Sequence, residues 1–297
     1  MLTSGARTPK ISVIIPAFNK DRFVAETIDT ALAQTYPNVD ITVIDDGSTD
    51  STPHILKRYS GRLTILEHLG RANRGQSAAI NLGIRSTQGD YLAILDADDL
   101  WEPTKLEHQV QFLDNHPNIG CVYANAYVID TAGRRLYTLL PPNHVEKGLP
   151  EHMLVHCPVG CPSGYLVRRS VYNRVGYYDE TLRSAQDHDM LVRLTEVSRV
   201  GYINEVLWSK REHPDSLSAR HEKRGWILGF TILEKACRRY PYSFHTKRQR
   251  LAVLHYRLGQ CLLREKRYLQ AGRDFILAGL YDPSRALRTL LKREKPA

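Results

Sequence analysis

The 297 residues are 42% hydrophobic and 25% charged; that suits a soluble globular protein with a full core and excludes a disordered or fibrous chain. No apolar run approaches the ~18 residues of a membrane span, the polar first ten residues lack a signal core, and five cysteines make no even disulfide framework, so a reduced, cytoplasmic setting is expected. The net charge of +9 is uneven: from Arg220 to Ala297 there are 19 Lys+Arg against 6 Asp+Glu, and the remainder holds 22 basic against 26 acidic residues.

Ile11 to Pro16 is a β-branched run stopped by proline and predicts a buried strand. Asn19 then caps a helix over 22–36, with Val24, Ile28, Ala31 and Leu32 on its inner face. Ile41 to Ile44 is a second strand, ending in Asp45-Asp46-Gly47-Ser48-Thr49-Asp50, which is turn chemistry before a helix near 53–59. A third strand over 63–66, a helix over 77–86 and a fourth strand over 91–95 follow. Strands alternating with helices imply a mainly parallel sheet, with ligands at the strands' carboxyl ends. A helix over 105–115 and a strand around 121–129 come next. Residues 134–162 read as a long loop, 163–167 as strand and 187–198 as helix. From Ala219 the signal is helical with a new, basic composition. The expected division is therefore 1–218, in halves of about 10–100 and 101–218, followed by a helical region over 219–297.

The fourth strand ends in Asp96-Ala97-Asp98-Asp99. Carboxylates packed this closely repel one another unless a positive charge lies among them. A hard divalent cation holding phosphate oxygens on its far side solves that problem. The chain has neither a Gly-x-x-x-x-Gly-Lys loop nor Gly-x-Gly-x-x-Gly, so phosphate falls to metal and side chains.

Ile11 to Asn19, Ile44 to Asp50, Asn73-Arg74-Gly75-Gln76-Ser77-Ala78-Ala79 and Leu95 to Asp99 resemble, in order and spacing, the successive motifs of family 2 glycosyltransferases. These are inverting, metal-dependent enzymes with the GT-A fold. The resemblance covers about 11–218. It implies that Pro16, Ala17 and Phe18 pack on the donor nucleotide, with Asn19 and Asn73 also in the substrate site. Asp46 would accept the imide N–H of a uracil, and Arg74 would lie near the base or pyrophosphate. Asp96 would bind ribose or a metal-bound water. Asp98 would ligate Mg²⁺ or Mn²⁺. Asp187, in Ala185-Gln186-Asp187-His188-Asp189, aligns with the general base that deprotonates the acceptor hydroxyl. The family usually has Glu at the position of Gln186; Asp189 is the reserve candidate. Lys210-Arg211-Glu212-His213 resembles the segment closing this fold, where Arg211 would offset diphosphate charge and His213 would ligate the metal or touch the diphosphate. From the residues alone, Asp46 also fits a strand-ending Asp-Gly turn, and Ser184-Ala185-Gln186-Asp187 also fits a helix capping box.

The resemblance implies transfer from a nucleotide-diphosphate sugar, UDP-linked by the Asp46 reading, to a glycan or lipid-linked hydroxyl. The alternatives are a non-catalytic nucleotide-sugar-binding protein and a sugar nucleotidyltransferase; the latter carries a Gly-rich basic loop that Pro16-Ala17-Phe18-Asn19 does not resemble. In the tail, Gly259, Ala271, Phe275, Ala278 and Pro283 match the offsets of one tetratricopeptide repeat in part. Arg264, Lys266, Arg267, Arg288, Lys292 and Arg293 suggest an anionic partner. The expected partner is an anionic membrane surface on the inner face of the cell membrane, the alternative being a protein partner docked by the same helices; nucleic acid is not expected.

Overall fold

The computed structural model describes residues 7–214, 216 and 222–290. The chain divides into two compact units: Met1–Gly148, Val159–Arg183 and Val197–His213 form one, and Leu149–Pro158, Ser184–Glu196 and Pro214–Ala297 the other. The expected boundary near 218/219 and the basic residues Lys292 and Arg293 lie outside the described residues.

The first unit is built on a nine-stranded sheet in the order β3-β2-β1-β4-β8-β6-β9-β5, with β7 paired to β6. Its strands are β1 (Ile11–Ala17), β2 (Val39–Asp45), β3 (Thr64–Glu67), β4 (Tyr91–Ile94), β5 (Leu100–Trp101), β6 (Ile119–Ile129), β7 (Arg135–Thr138), β8 (Tyr165–Arg168) and β9 (Arg199–Arg211). All seven residues of β1 are buried, as a β-branched strand covered on both faces must be. β1 runs parallel to β2 and β4, and β2 parallel to β3. Their carboxyl ends therefore lie side by side and carry Phe18, Asp46 and Asp96. The other half of the sheet is mixed: β8 is antiparallel to β4 and β6, β9 is parallel to β6, and β5 is antiparallel to β9. Uninterrupted parallel pairing is thus confined to the first half, and the second half keeps one parallel pair, β6 with β9.

The unit's helices are α1 (Val24–Leu32), α2 (Thr52–Lys57), α3 (Gln76–Ser86), α4 (Lys105–Asn115) and α6 (Arg169–Val175). Gly83 lets α3 approach the sheet: a Cβ there would lie 2.5 Å from Ile14 and 2.9 Å from Ile44. Asn19 does not cap α1. That helix begins after Phe23, whose side chain makes no cap bond. Asn19 instead holds a left-handed φ of 51°, and its Oδ1 accepts from the Thr49 backbone N–H at 2.8 Å. The segment 134–162 is not one loop, since it contains β7 and α5 (Pro150–His156).

The second unit contains α5, α7 (Gln186–Val197), α8 (Glu222–Arg239), α9 (Phe244–Arg264), α10 (Tyr268–Tyr281) and α11 (Pro283–Leu290). Ser243 caps α9 by accepting from the Thr246 N–H at 3.1 Å. α9 and α10 pack closely because Gly259 faces the Phe275 ring, which a Cβ would meet at 2.9 Å. No described helix is long and apolar enough to cross a membrane.

Candidate active site

The turn after β2 is set by glycine. Gly47 has φ +78°, and a Cβ there would meet the Arg71 carbonyl at 2.4 Å and the Asn73 nitrogen at 2.9 Å. Only a glycine lets the 71–75 segment close over the turn. Once closed, that segment grips Asp46: Oδ1 accepts from the Arg74 N–H at 2.8 Å and Oδ2 from the Gly75 N–H at 2.7 Å. His68 Nε2 lies 3.4 Å away. Burial pushes the Asp46 carboxyl up, and the two backbone N–H groups, His68 and Arg183 offset part of that. Each carboxylate oxygen has a second lone pair after these bonds. Neighbouring Asp45 is wholly buried and accepts from the Ser48 N–H at 2.9 Å.

The turn after β4 gathers the acids. Asp96 accepts from Gln76 Nε2 at 2.7 Å, and its backbone N–H donates to Ser163 Oγ at 3.0 Å. Asp98 Oδ2 faces two cationic or potentially cationic groups: the Lys20 ammonium and His213 Nε2, the latter at 2.9 Å. Burial raises the Asp98 carboxyl, but the His213 hydrogen bond and the Lys20 charge outweigh it and hold the group below its usual range. Asp99 points inward. It accepts from Ser163 Oγ at 2.6 Å, the Cys161 thiol at 3.1 Å and the Arg211 N–H at 2.9 Å. Burial first, and the Asp98 charge second, push Asp99 up to about 6. Among the described residues, Asp96, Asp99 and Cys161 bring one ligand atom each within 4.8 Å of one another. Burial and the neighbouring acids raise the Cys161 thiol well above its usual range, so it acts there as an S–H donor.

β9 delivers the remaining partners. Its pairing with β5 in the register Leu100 to Ser209 brings Arg211 and His213 beneath the acid turn. Arg211 is 3% exposed and is fully engaged. Nε donates to the Asp98 carbonyl at 3.0 Å, Nη1 to those of Asp130 and Thr131 at 3.2 and 3.3 Å, and Nη2 to Glu26 at 2.7 Å. It clamps the turn, with Nε, Nη1 and Nη2 all donating to protein oxygens.

The other expected residues divide. Pro16 and Ala17 are buried in β1, and Phe18, at 42% exposure, presents the aromatic surface of that loop. Asn73 and Arg74 are exposed on the segment that grips Asp46; Arg74 Nη2 lies 3.3 Å from Glu180. Beside these, Trp101 of β5 and Trp208 of β9 pack in the core, 3% and 0% exposed.

Asp187 belongs to the second unit, in the first turn of α7. Ala185, just before that turn, holds φ 58°, a left-handed value that alanine rarely adopts. Asp187 Oδ1 is buried with no hydrogen-bond partner among the described residues, and Gln186 Nε2 lies 3.4 Å from Oδ2. Burial pushes the carboxyl up to about 7. Asp189, the reserve candidate, is held by Arg193 Nε at 2.9 Å and lies 4.0 Å from Arg239. Three participants escaped sequence reasoning. Lys20 and Ser163 are ordinary residue types with no spacing signal, and Asp99 was visible only as a third acid.

A sheet that sets acids and an aromatic loop at the carboxyl ends of its parallel strands, with a mixed half beside them, is the GT-A fold. Residues 12–176 match the family described as Glycosyl transferase family 2, and the chain belongs to it. It is 34% identical over 191 residues to an uncharacterized glycosyltransferase, RT0329, of Rickettsia typhi, covering 62% of this chain and 58% of that protein. It is 33% identical over 190 residues to the putative glycosyltransferase EpsE of Bacillus subtilis, covering 61% and 64%. The chain thus spans less than two thirds of either relative. Among solved structures, S. aureus TarS 1–349 in complex with UDP-GlcNAc aligns with a TM-score of 0.67 at 18% identity, over 91% of this chain and 81% of that one. The mannosyltransferase PcManGT from Pyrobaculum calidifontis, in complex with GDP-Man and Mn2+, aligns at 0.65 and 21%, over 98% and 82%. Both likenesses are of fold.

Proposed function

We propose that this glycosyltransferase moves a sugar from a UDP-linked donor to a hydroxyl of a glycan or lipid-linked acceptor, with inversion at the anomeric carbon. The observation that carries the reading is the convergence of Asp98 Oδ2 and His213 Nε2, 2.9 Å apart, at the end of β4. A carboxylate oxygen and an imidazole nitrogen this close form a donor pair that fits Mg²⁺ or Mn²⁺. A bound divalent ion supplies charge neutralisation for the departing diphosphate. Asp46 keeps lone pairs for the imide N–H of uracil, and Phe18 offers a surface for the base. Asp187 takes the acceptor proton through Oδ1, which has no hydrogen-bond partner among the described residues. The acceptor oxygen then bonds to the anomeric carbon as the bond to the diphosphate oxygen breaks. Asp187 is preferred to Asp189, which is already ion-paired. The excess of basic residues after Arg220 supports an anionic membrane surface as the place where a lipid-linked acceptor is met.

A screen of nucleotide sugars with Mn²⁺ or Mg²⁺, reading released nucleoside diphosphate, tests the activity. Calorimetry with UDP and Mn²⁺ tests the site. Asp98→Ala is expected to abolish metal-supported UDP binding, and unchanged affinity removes Asp98 from the donor site.

A further inference from the structure

Lys20 is fixed at its backbone. Its N–H donates to Thr52 Oγ1 at 2.8 Å, and its carbonyl accepts from the N–H groups of Phe23 and Val24 at 3.0 and 2.8 Å. The preceding Asn19 is held from the opposite loop, its N–H donating to Ser48 Oγ at 3.0 Å. Only the four-carbon stem is left to move, and it carries a compact ammonium. That ammonium rests on Asp98 Oδ2, the same oxygen that His213 Nε2 approaches. The two lone pairs of one carboxylate oxygen are thereby both engaged. The Lys20 side chain is 20% exposed and that of Asp98 13%, so the pair is only weakly screened by solvent.

A divalent ion held by Asp98 Oδ2 together with His213 Nε2 takes the oxygen that Lys20 occupies, and two like charges cannot share it at contact distance. We propose that Lys20 is a built-in counter-cation of the Asp98–His213 pair, which a divalent metal ion displaces and whose freed ammonium then pairs with the donor's diphosphate. The inference rests on the metal-binding reading of Asp98 and His213. It accounts for how a buried carboxylate stays compensated before donor arrives, since an uncompensated one is costly. It also makes metal and nucleotide binding cooperative, because displacement of Lys20 by one ligand prepares a charge partner for the other.

Mn²⁺ titration of the nucleotide-free full chain, followed by electron paramagnetic resonance, tests this directly. Lys20→Gln should bind Mn²⁺ about tenfold more tightly or better, a change that needs only ~1.4 kcal/mol of relieved repulsion. At saturating Mn²⁺ the same variant should bind UDP more weakly. Lys20→Arg keeps the charge and should stay close to wild type in both measurements, which separates charge from packing. Equal or weaker Mn²⁺ binding by a folded Lys20→Gln overturns the proposal. Asp98→Asn distinguishes the two possible failures. If it binds Mn²⁺ as wild type does, the metal reading itself is wrong. If it loses Mn²⁺ while Lys20→Gln is unchanged, only the role of Lys20 is.

Discussion

At the scale of single residues, the acids of this chain differ by environment more than by sequence. Asp98 is drawn down by a hydrogen-bonded imidazole and an ammonium, Asp99 is pushed up to about 6, and Asp187 up to about 7. A base must be ionised, so kcat/KM should rise with pH through about 7 and level off above it. The same shift acts on stability with a fixed sign. The folded carboxyl binds its proton more tightly than the unfolded one, whose pKa is about 3.9. Its contribution is therefore fully present below that value and is lost as pH rises through about 7. Asp187→Asn should thus melt higher than wild type at pH 8 and match it near pH 4, while losing roughly 10²-fold or more in rate with donor binding intact. A variant with full transfer activity would remove Asp187 from the base role. The motif residues were legible in sequence because acids at strand ends carry a spacing. The donor to Asp46 was not, because it is the backbone of Arg74 and Gly75, and backbone has no residue signature.

At the scale of elements, β1 to β4 were readable because buried β-branched runs between turn residues have one solution. β9 was not. Its Gly201, Asn204 and Glu205 break the alternation, and its register against β6 shifts around Asn125. Yet β9 brings Arg211 and His213 to the acid turn, so half of the candidate cation pair depends on a strand hidden from pattern reading. α3 offers a test of how tightly the parallel half is built. Gly83→Val places a branched side chain where Ile14 and Ile44 already stand. It should lower the melting temperature by the equivalent of ~1–3 kcal/mol, the usual cost of overpacking. An unchanged melting temperature would mean that α3 can move away from β1. In the second unit, Arg250 of α9 is 4% exposed and lies 3.0 Å from His188 Nδ1 in α7, next to Asp187. Burial, with Arg250 second, holds His188 down at about 3, so its ring is neutral and can accept that bond. Arg250→Met keeps the volume and leaves Nδ1 buried without a donor, at a cost of about 1–3 kcal/mol. Chemical denaturation of the full chain checks this, and His188→Phe in the same background should recover part of the loss.

At the scale of the molecule, charge and apolar surface fall in the same helices. Arg264 is paired with Glu222 at 2.7 Å, and Arg267 lies 3.7 Å from Glu265, which lessens their pull on lipid. Arg273 of α10 is exposed; Leu269, one turn before it, and Ile276 and Leu280 after it share its helical spacing, with 93%, 65% and 65% of their surface accessible. If the proposed anionic surface is the partner, charge brings the helix in, at ~1 kcal/mol for each basic residue near the headgroups. The apolar row then adds about 1.5–3 kcal/mol for each side chain fully withdrawn from water. Co-sedimentation with vesicles should therefore show binding to anionic lipid that weakens with salt, because the attraction fades within ~8 Å at physiological ionic strength. Leu269→Glu combined with Ile276→Glu should reduce that binding tenfold or more without lowering the melting temperature, since both side chains are already exposed. Equal partitioning onto neutral and anionic vesicles, or binding indifferent to salt and to both substitutions, would exclude the anionic-surface reading.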